Sequence, residues 1–265
     1  MAVPDTGGRP RLFELVDEWR PVRPAIDAGR SVGVVPTMGA LHAGHASLIE
    51  RARAECDVVV LSIFVNPTQF DDPEDLAAYP STLDADLAIA SACGVDHVLF
   101  PTKAQVYPDG YRYHVTETDF SNTLCGEHRP GHFDGVLTVV LKLLNIVRPD
   151  RAYFGEKDYQ QLTLVRDMVD ALFVPTTIVP CPTVREDDGL ALSSRNRRLS
   201  IEARELAPQF AAWLHKAASA DEATRELDAL GFAVDYVVDY SVGGNPRRFG
   251  AVHLDGVRLI DNVAI

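Results

Sequence analysis

The feature that most constrains the fold of this chain is a continuous apolar run, Val58–Val65, that is rich in β-branched residues. A strand that is apolar on both faces is typical of the interior of a parallel sheet, because helices cover both sides of such a sheet. A shorter apolar run lies at 31–36, and the sequence at 46–56 has helix-forming composition. The order of strand, glycine-bearing turn, helix and strand predicts a βαβ unit.

The same alternation continues towards the middle of the chain. Further strands are predicted at 97–100 and 152–154, and further helices at 82–93, 133–147 and 158–173. Strands that alternate with helices over residues 31–185 predict a mostly parallel sheet with helices on both faces. Ligands of such a sheet bind beyond the carboxyl ends of its strands.

The pattern changes after Ser200, where a helix-rich segment runs to Leu230 and strand patterns follow at 234–240 and 257–260. We therefore predict an α/β domain over residues 1–187 and a small α+β domain over residues 188–265. The boundary is placed where a polar, arginine-rich stretch interrupts the apolar pattern.

The composition excludes several classes of protein. The chain has 38 acidic and 25 basic side chains and a net charge of −13, so its overall field repels nucleic acids and anionic membranes. A phosphate-bearing ligand therefore needs a local basic pocket. The four cysteines are far apart, which does not suggest a zinc cluster or a dithiol, and residues 1–20 hold no continuous apolar run. A cytoplasmic protein that binds small molecules, with neither nucleic acid nor membrane as a partner, is the simplest interpretation.

Two histidines, in the order His42-Ala43-Gly44-His45, follow the first predicted strand at the start of a helix. Both imidazoles can point there towards an anion at the amino end of the helix, and Gly44 lets a phosphate approach the backbone. Histidine pairs at this spacing are also common on surfaces and in metal sites. A zinc site needs a third ligand that the neighbouring sequence does not supply, so stabilisation of a phosphorus undergoing displacement is the better interpretation.

Two further segments offer groups that suit a nucleotide. The segment Ser193-Ser194-Arg195-Asn196 carries hydroxyls and a guanidinium for phosphate oxygens, although a solvated interdomain linker has the same composition. In the segment 155–161, Lys157 suits phosphate and Asp158 suits ribose hydroxyls. Helix capping by Asp158 and a surface ion pair are the structural alternative for these charges.

Amide side chains and a loop before a helix complete the candidate residues. Gln160 and Gln161, like Gln69 after the Val58–Val65 run, are suited to binding a small polar substrate. The segment 129–133 places Arg129 and His132 before the helix at 133–147, where they form either a mobile lid or a rigid turn.

Five segments in this order resemble the pantothenate synthetase family. They are Pro36–His45, Ser62–Phe70, Arg129–Phe133, Phe154–Gln161 and Leu192–Asn196. The histidine motif and the serine–arginine motif recur separately in nucleotidyltransferases and class I aminoacyl-tRNA synthetases, whereas the five together are specific to one family. The resemblance extends from about residue 30 to the carboxyl terminus.

The resemblance implies a Rossmann-like ATP-binding domain of the HxGH nucleotidyltransferase type and a smaller carboxyl-terminal domain that closes over it. It also implies a homodimer, with Mg²⁺ accompanying ATP. The implied activity is an ATP-dependent condensation of pantoate with β-alanine through a pantoyl adenylate, with release of AMP and pyrophosphate.

The resemblance also implies roles for individual residues. Those expected to be catalytic are His42, His45, Lys157, Ser193, Ser194 and Arg195. ATP is expected to contact these six together with Met38, Gly44, Gly155, Asp158, Val184 and Leu192. Pantoate is expected to contact Gln69, Gln161, Asn66 and Met38, with Arg129 and His132 in the entrance loop and Asp86 as a metal ligand.

Three positions depart from the family's pattern. Ala43 stands where an acidic residue is common, Leu192 replaces a frequent methionine, and Ala85 interrupts an acidic pair beside Asp86 that could assist Mg²⁺. Two alternatives stay open: an adenylating enzyme with a different acceptor, and a nucleotide-binding regulatory module without turnover. Gln69 together with Gln161 favours pantoate over the first, and the intact histidine pair argues against the second.

Overall fold

The computed structural model describes residues 9–26, 29–70 and 73–265. Its amino-terminal part is built on a parallel sheet of six strands in the order β1-β4-β3-β2-β5-β6. The strands are β1 (Arg11–Phe13), β2 (Val32–Thr37), β3 (Val58–Ile63), β4 (His97–Leu99), β5 (Arg151–Gly155) and β6 (Thr177–Cys181). This observation confirms the predicted α/β class with a parallel sheet.

Helices cover both faces of this sheet. They are α1 (Val16–Trp19), α2 (Val22–Ile26), α3 (Ala43–Glu55), α4 (Pro73–Ala77), α5 (Leu83–Ala92), α6 (Lys103–Val106), α7 (Cys125–His128), α8 (His132–Val147) and α9 (Tyr159–Ala171). Short 3-10 turns lie at Pro67–Gln69, Phe120–Asn122, Glu156–Asp158 and Ser194–Arg198. Neighbouring residues of a strand point to opposite faces, so Val34 packs in the core beneath α8 and α9 and Val35 packs in the core beneath α3.

The carboxyl-terminal part has its own core. Helices α10 (Ile201–Leu206), α11 (Pro208–Lys216) and α12 (Ala220–Ala229) precede an antiparallel sheet of β7 (Ala233–Val242), β8 (Asn245–Leu254) and β9 (Val257–Ala264). Phe210 and Leu214 of α11 pack on this sheet over Gly250, where a Cβ atom would lie 2.8 Å from the Phe210 ring. The α+β character predicted for this segment is confirmed. Leu190 already packs in this core, while the boundary at residues 187 and 188 stays a prediction.

The differences from expectation have local causes. The first long helix begins at Ala43 and not at residue 46, because the His42 side chain caps it. The strand β6 contains Pro180, which is tolerated because this strand lies at the edge of the sheet. The sequence does not predict β8, whose polar Arg247 and Arg248 interrupt the apolar pattern.

A helix that spans a membrane needs about 20 consecutive, mostly apolar residues. None of the helices within residues 9–26, 29–70 and 73–265 is long and apolar enough to cross a bilayer.

Candidate active site

A cleft of about 720 Å³ opens at the carboxyl ends of β2, β3 and β5. The strand order reverses between β2 and β5, and ligands of open α/β sheets bind at such a reversal. All the sequence-predicted site residues except Asp86 line this cleft: Met38, His42, Gly44, His45, Asn66, Gln69, Arg129, His132, Gly155, Lys157, Asp158, Gln161, Val184, Leu192, Ser193, Ser194 and Arg195. Residues from widely separated segments therefore face one space.

The two histidines occupy the amino end of α3, directly after β2. The backbone N–H of Gly44 donates to Nδ1 of His42 at 3.1 Å, and the backbone N–H of His42 donates to Nδ1 of His45 at 3.4 Å. A backbone N–H can only donate, so Nδ1 of each ring carries a lone pair and Nε2 carries the proton. The rings lie 4.2 Å apart, so the two Nε2–H groups form a pair of donors at the helix start.

Both imidazoles are neutral at physiological pH. Burial, reinforced by the positive charge of Lys157, lowers the pKa of His42 to about 4. Burial, followed by the effect of His42, lowers the pKa of His45 to about 3. The groups consequently donate hydrogen bonds without carrying a positive charge, which suits oxygens on which negative charge develops.

The 3-10 turn Glu156–Asp158 after β5 carries Lys157 into the same cleft. Nζ of Lys157 lies 3.7 Å from Oδ1 of Asp158. The backbone of the turn is held from the second sheet, because Nδ2 of Asn262 donates to the carbonyl oxygens of Glu156 and Lys157 at 2.9 Å each. The position of the lysine therefore depends on β9 as well as on β5.

A hairpin-like loop from Val184 to Leu192 closes one end of the cleft. Arg185 and Ala191 form an isolated β-bridge, and the N–H of Leu192 donates to the carbonyl of Val184 at 3.0 Å. The guanidinium of Arg185 donates two hydrogen bonds to the buried carboxylate of Asp261, at 2.6 and 3.0 Å. The backbone at Val184 and Leu192 is thereby fixed without use of the Leu192 side chain.

The serine–arginine motif continues directly from this loop. Ser193 caps the 3-10 turn Ser194–Arg198 by accepting from the N–H of Arg195 at 3.2 Å. One guanidinium N–H of Arg195 donates to Asp75 at 3.1 Å, and Arg198 donates to the other oxygen of Asp75 at 2.6 Å. The arginine of the motif therefore faces the cleft while it is paired with a carboxylate of α4.

Amide groups line a second part of the cleft, beyond β3. Nε2 of Gln69 lies 3.0 Å from Sδ of Met38, and Oε1 of Gln69 accepts from Nδ2 of Asn66 at 3.0 Å. Asn66 is buried, and its Oδ1 accepts from the hydroxyl of Tyr107 at 2.7 Å. These contacts hold the Gln69 side chain beside Met38, which lies directly after β2.

The loop predicted as an entrance supports the same amide pocket. Arg129 and Nδ1 of His132 both contact the backbone carbonyl of Gln69, at 3.1 and 2.7 Å. The start of α8 approaches this turn so closely that a Cβ atom on Gly135 would lie 2.3 Å from the carbonyl oxygen of Thr68. Glycine at this position is therefore required by packing, which the sequence did not reveal.

The two adjacent glutamines differ in their surroundings. Gln160 is buried, donates to the carbonyls of Phe120 and Thr123 at 2.9 and 2.8 Å, and accepts from the N–H of Cys125. Its amide thus organises the loop before α7, although its side chain also borders the cleft. Gln161 is half-buried and lines the cleft.

Asp86 is the one predicted site residue that does not line the cleft. It is buried, and its oxygens accept hydrogen bonds from the N–H groups of Ala40 and Leu41 at 3.0 and 2.8 Å and from the hydroxyl of Thr82 at 3.2 Å. These bonds hold the loop between β2 and the histidine motif. This geometry favours a structural role over the predicted role as a metal ligand.

The sequence interpretation missed several residues that organise the site. Asp75 and Arg198 form the ion-pair cluster with Arg195, and Asn262 and Asp261 reach the site from the last strand. The arginine-rich run at 195–198 was the available signal for Arg198. Nothing in the local sequence marks Asp75 or the two β9 residues, because their partners lie far away along the chain.

Comparison with known proteins identifies the family to which this chain belongs. The model of the family described as pantoate-beta-alanine ligase matches residues 11–264 of the chain. The chain belongs to the pantoate–β-alanine ligase family. It is accordingly an enzyme that ligates pantoate and β-alanine, which confirms the resemblance seen in the five sequence segments.

Relatives within this ligase family are similar over nearly their whole length. A pantothenate synthetase of Bdellovibrio bacteriovorus is 59% identical over 235 residues, which cover 89% of this chain and 92% of that protein. One from Legionella pneumophila strain Lens is 49% identical over 252 residues, covering 95% and 98%. Full-length similarity of this degree includes both parts of the fold.

Solved structures of the family share this fold. The pantoate-beta-alanine ligase of Francisella tularensis, solved in complex with beta-gamma ATP and beta-alanine, is 40% identical with a TM-score of 0.91, covering 96% of this chain and 97% of that chain. The pantothenate synthetase of Thermus thermophilus is 42% identical with a TM-score of 0.86, covering 96% and 98%. The Rossmann-like class with a small carboxyl-terminal sheet is therefore confirmed.

Proposed function

We propose that this ligase condenses pantoate with β-alanine at the expense of ATP, through a pantoyl adenylate, and releases AMP and pyrophosphate. The observation that carries the proposal is the convergence of two Nε2–H donors, a lysine and a serine–arginine turn on one cleft that also contains an amide-lined pocket. The Francisella relative was solved in complex with beta-gamma ATP and beta-alanine. ATP has a chemical role in such a reaction, because amide formation from a carboxylate requires activation.

In the first step, a carboxylate oxygen of pantoate attacks the α-phosphorus of ATP. A P–O bond to the pantoate forms, the bond to the β-phosphate oxygen breaks, and pyrophosphate leaves. The Nε2–H groups of His42 and His45 donate to phosphate oxygens as negative charge accumulates, which lowers the barrier because the donors are already oriented. Lys157 supplies a full positive charge on the same side.

The remaining nucleotide contacts follow from the same arrangement. Ser193, Ser194 and Arg195 hold the outer phosphates, with Arg195 exchanging its bond to Asp75 for one to phosphate. Gly155 and Asp158 contact the ribose, and the fixed backbone at Val184 and Leu192 contacts adenine. Leu192 in place of a methionine is tolerated since a backbone contact is independent of the side chain.

Pantoate occupies the amide-lined part of the cleft. Gln69 and Gln161 bind its polar groups, while Met38 and Asn66 border the pocket. Arg129 and His132 fix the entrance by holding the Gln69 backbone. The amide-lined pocket and the histidines belong to the same cleft, so the carboxylate of bound pantoate can reach the α-phosphorus.

In the second step, the amine of β-alanine attacks the acyl carbon of the adenylate. The ammonium group of β-alanine first loses one proton to solvent and becomes the attacking amine. A C–N bond then forms, the C–O bond to AMP breaks, and a second proton leaves the nitrogen, so the amide keeps one N–H. Water in the cleft would hydrolyse the mixed anhydride, so we propose that the carboxyl-terminal domain, residues 188–265, closes over the 1–187 domain during the reaction.

Mg²⁺ is proposed to enter as part of the nucleotide. Among the residues described in the structure, no group of three or more His, Cys, Asp or Glu side chains is arranged to hold a metal ion. Asp75 accepts from two guanidinium groups, and Asp158 lies beside Lys157. Phosphate oxygens and water are the usual Mg²⁺ ligands in nucleotide sites, and they fit this cleft without a dedicated protein site.

The assembly and location of the enzyme are also proposals. We propose a homodimer in the cytoplasm, in agreement with the resemblance to the family. The four cysteines are all free thiols, which is the state that a reducing compartment maintains. Sedimentation of the purified protein measures the assembly directly.

Labelled pyrophosphate exchange tests the proposed chemistry. With ATP, Mg²⁺ and pantoate but no β-alanine, the enzyme is expected to incorporate labelled pyrophosphate into ATP, because adenylate formation is reversible. Addition of β-alanine is expected to yield AMP in amounts equal to pantothenate. Formation of ADP, or exchange that requires β-alanine, would exclude the adenylate.

A further inference from the structure

Asn262 is a buried amide of the second sheet whose polar atoms act on the first domain. It lies on β9, opposite Phe249 of β8, and only 3% of its surface is exposed. Its Nδ2 group donates to the carbonyl oxygens of Glu156 and Lys157, each at 2.9 Å. These two carbonyls belong to the turn that presents the Lys157 side chain to the cleft.

The orientation of this amide is fixed by its third partner. Nε of Arg247 donates to Oδ1 of Asn262 at 2.8 Å. A guanidinium can only donate and the two carbonyls can only accept, so the amide cannot be reversed without losing all three hydrogen bonds. The guanidinium of Arg247 also lies 4.0 Å from the centre of the Tyr159 ring, at the residue that follows the turn and begins α9.

The neighbouring residue of β9 acts on the other side of the nucleotide site. Asp261 is buried and accepts two hydrogen bonds from Arg185, which fixes the loop between Val184 and Leu192. Two consecutive residues of the last strand therefore hold the two segments to which the lysine and the adenine-binding backbone belong. Apolar residues at these two positions would be enough to cover the cleft. Buried polar groups are costly unless they are paired, so their presence here points to the bonds that they make.

We propose that Asn262 is a positioning residue for the ligation reaction, which orients Lys157 towards the ATP phosphates by gripping the backbone of its turn. The proposal rests on the proposed role of Lys157 in binding ATP. It makes the carboxyl-terminal sheet part of the nucleotide site, because correct placement of the lysine requires β9 in contact with the turn. ATP binding and closure of the second domain are coupled through this amide.

A double-mutant cycle between Asn262→Ala and Lys157→Ala tests the proposal, with the KM for ATP and the rate of pyrophosphate exchange as readouts. Asn262→Ala is expected to raise the KM for ATP at least tenfold in the otherwise unchanged enzyme and less than threefold when Lys157 is already alanine. The KM for pantoate is expected to stay within a factor of two. Asn262→Leu, which keeps a side chain branched at Cγ but has no hydrogen-bond donor, provides a second variant if the alanine variant does not fold.

Val263→Ala is the matched control. Val263 is the next residue of β9, is equally buried at 3% exposure, and packs in the core of the second domain away from the cleft. It is expected to lower thermal stability without changing the KM for ATP. Equal effects of Asn262→Ala in both backgrounds, or an effect no larger than that of Val263→Ala, would overturn the inference. A Lys157→Ala enzyme with normal KM for ATP would instead overturn the proposed role of the lysine.

Discussion

Replacement of Asp86 by asparagine tests whether this carboxylate has a structural role or binds a metal ion. The Asp86 carboxylate accepts from the N–H groups of Ala40 and Leu41 in the loop that leads to the histidines. Gly39 and Ala40 of this loop both adopt left-handed backbone conformations, with φ of 81° and 52°. A left-handed conformation costs a non-glycine residue about 1–2 kcal/mol, so the loop depends on outside bonds to persist.

The Asp86→Asn change removes one of these two hydrogen bonds. The Oδ1 atom of asparagine can still accept from Leu41, but its NH₂ group then faces the N–H of Ala40, and two donors cannot bond. The lost hydrogen bond to a charged acceptor is worth about 1.5–3 kcal/mol, and the orphaned N–H raises the expected loss of unfolding free energy to about 3 kcal/mol. For a chain of this size, that loss corresponds to a Tm lower by roughly 6–12 °C.

Thermal unfolding tests the structural role of Asp86, and a Mg²⁺ titration of the activity tests the metal-binding role. We expect a lower Tm, slower pyrophosphate exchange because His42 and His45 are held less firmly, and an unchanged Mg²⁺ requirement. Asp84→Asn removes the same charge from an exposed position of α5 and is the control, with little expected effect. A normal Tm combined with a Mg²⁺ requirement raised tenfold would show that Asp86 binds the metal and that this reasoning is wrong.

Three further predictions concern other parts of the cleft. Gly135→Ala is expected to raise the KM for pantoate at least tenfold while ATP binding is retained, because the new methyl group displaces the turn that carries Gln69; an unchanged KM would show that the turn adapts. Asp75→Asn is expected to lower the Kd for ATP severalfold in equilibrium binding, since Arg195 no longer has to leave a carboxylate, and weaker binding would contradict this exchange. The pKa of His45 is lowered to about 3 in the folded chain, so near pH 6.5 this imidazole takes up a proton in the unfolded chain but stays neutral in the folded chain. Stability is therefore lost as the pH falls below about 6.5, and His45→Gln is expected to reduce that loss by about 1 kcal/mol at pH 5 in urea denaturation, after allowance for solvent screening. Identical pH dependence in both proteins would refute the assigned pKa.

The parallel sheet was predictable because the local sequence of its central strands shows that they are buried. A run such as Val58–Val65 can satisfy its hydrophobic residues only where both faces are covered, so a single segment indicates both its conformation and its environment. The three-residue strand β1 is too short to show such a pattern. The sequence of β8 argues against a buried strand, because it contains two consecutive arginines. Arg248 of β8 is buried only because Asp239 and the carbonyls of Leu214 and Ala217 accept from it, which a local pattern cannot show.

The candidate site divides in the same way. Three of the segments that face the cleft, at 38–45, 64–70 and 156–161, directly follow a strand, so topology alone brings them to one edge of the sheet. Contacts between side chains far apart in sequence were not predictable: Arg195 meets Asp75 across 120 positions, and Asn262 meets the carbonyl of Lys157 across 105. Such pairs depend on the relative placement of both domains, which no local periodicity encodes.

The pairing of charges inside the cleft follows from the acidic character of the chain. With a net charge of −13, a cluster of unpaired arginines would attract many anions, but Arg195 and Arg198 are paired with Asp75 and Arg258 is paired with Asp235. A pair of opposite charges about 4 Å apart near a protein surface is worth up to about 4 kcal/mol before desolvation, so a singly charged anion gains little by replacing the carboxylate. A triphosphate offers several charges to Lys157 and Arg195 at once, and it alone compensates for breaking such a pair. The carboxylates thus select for polyphosphates. ATP binding is expected to weaken with added salt less steeply in the wild-type protein than in the Asp75→Asn variant, because salt weakens both the ion pair that breaks and the one that forms in the wild-type protein, but only the one that forms in the variant.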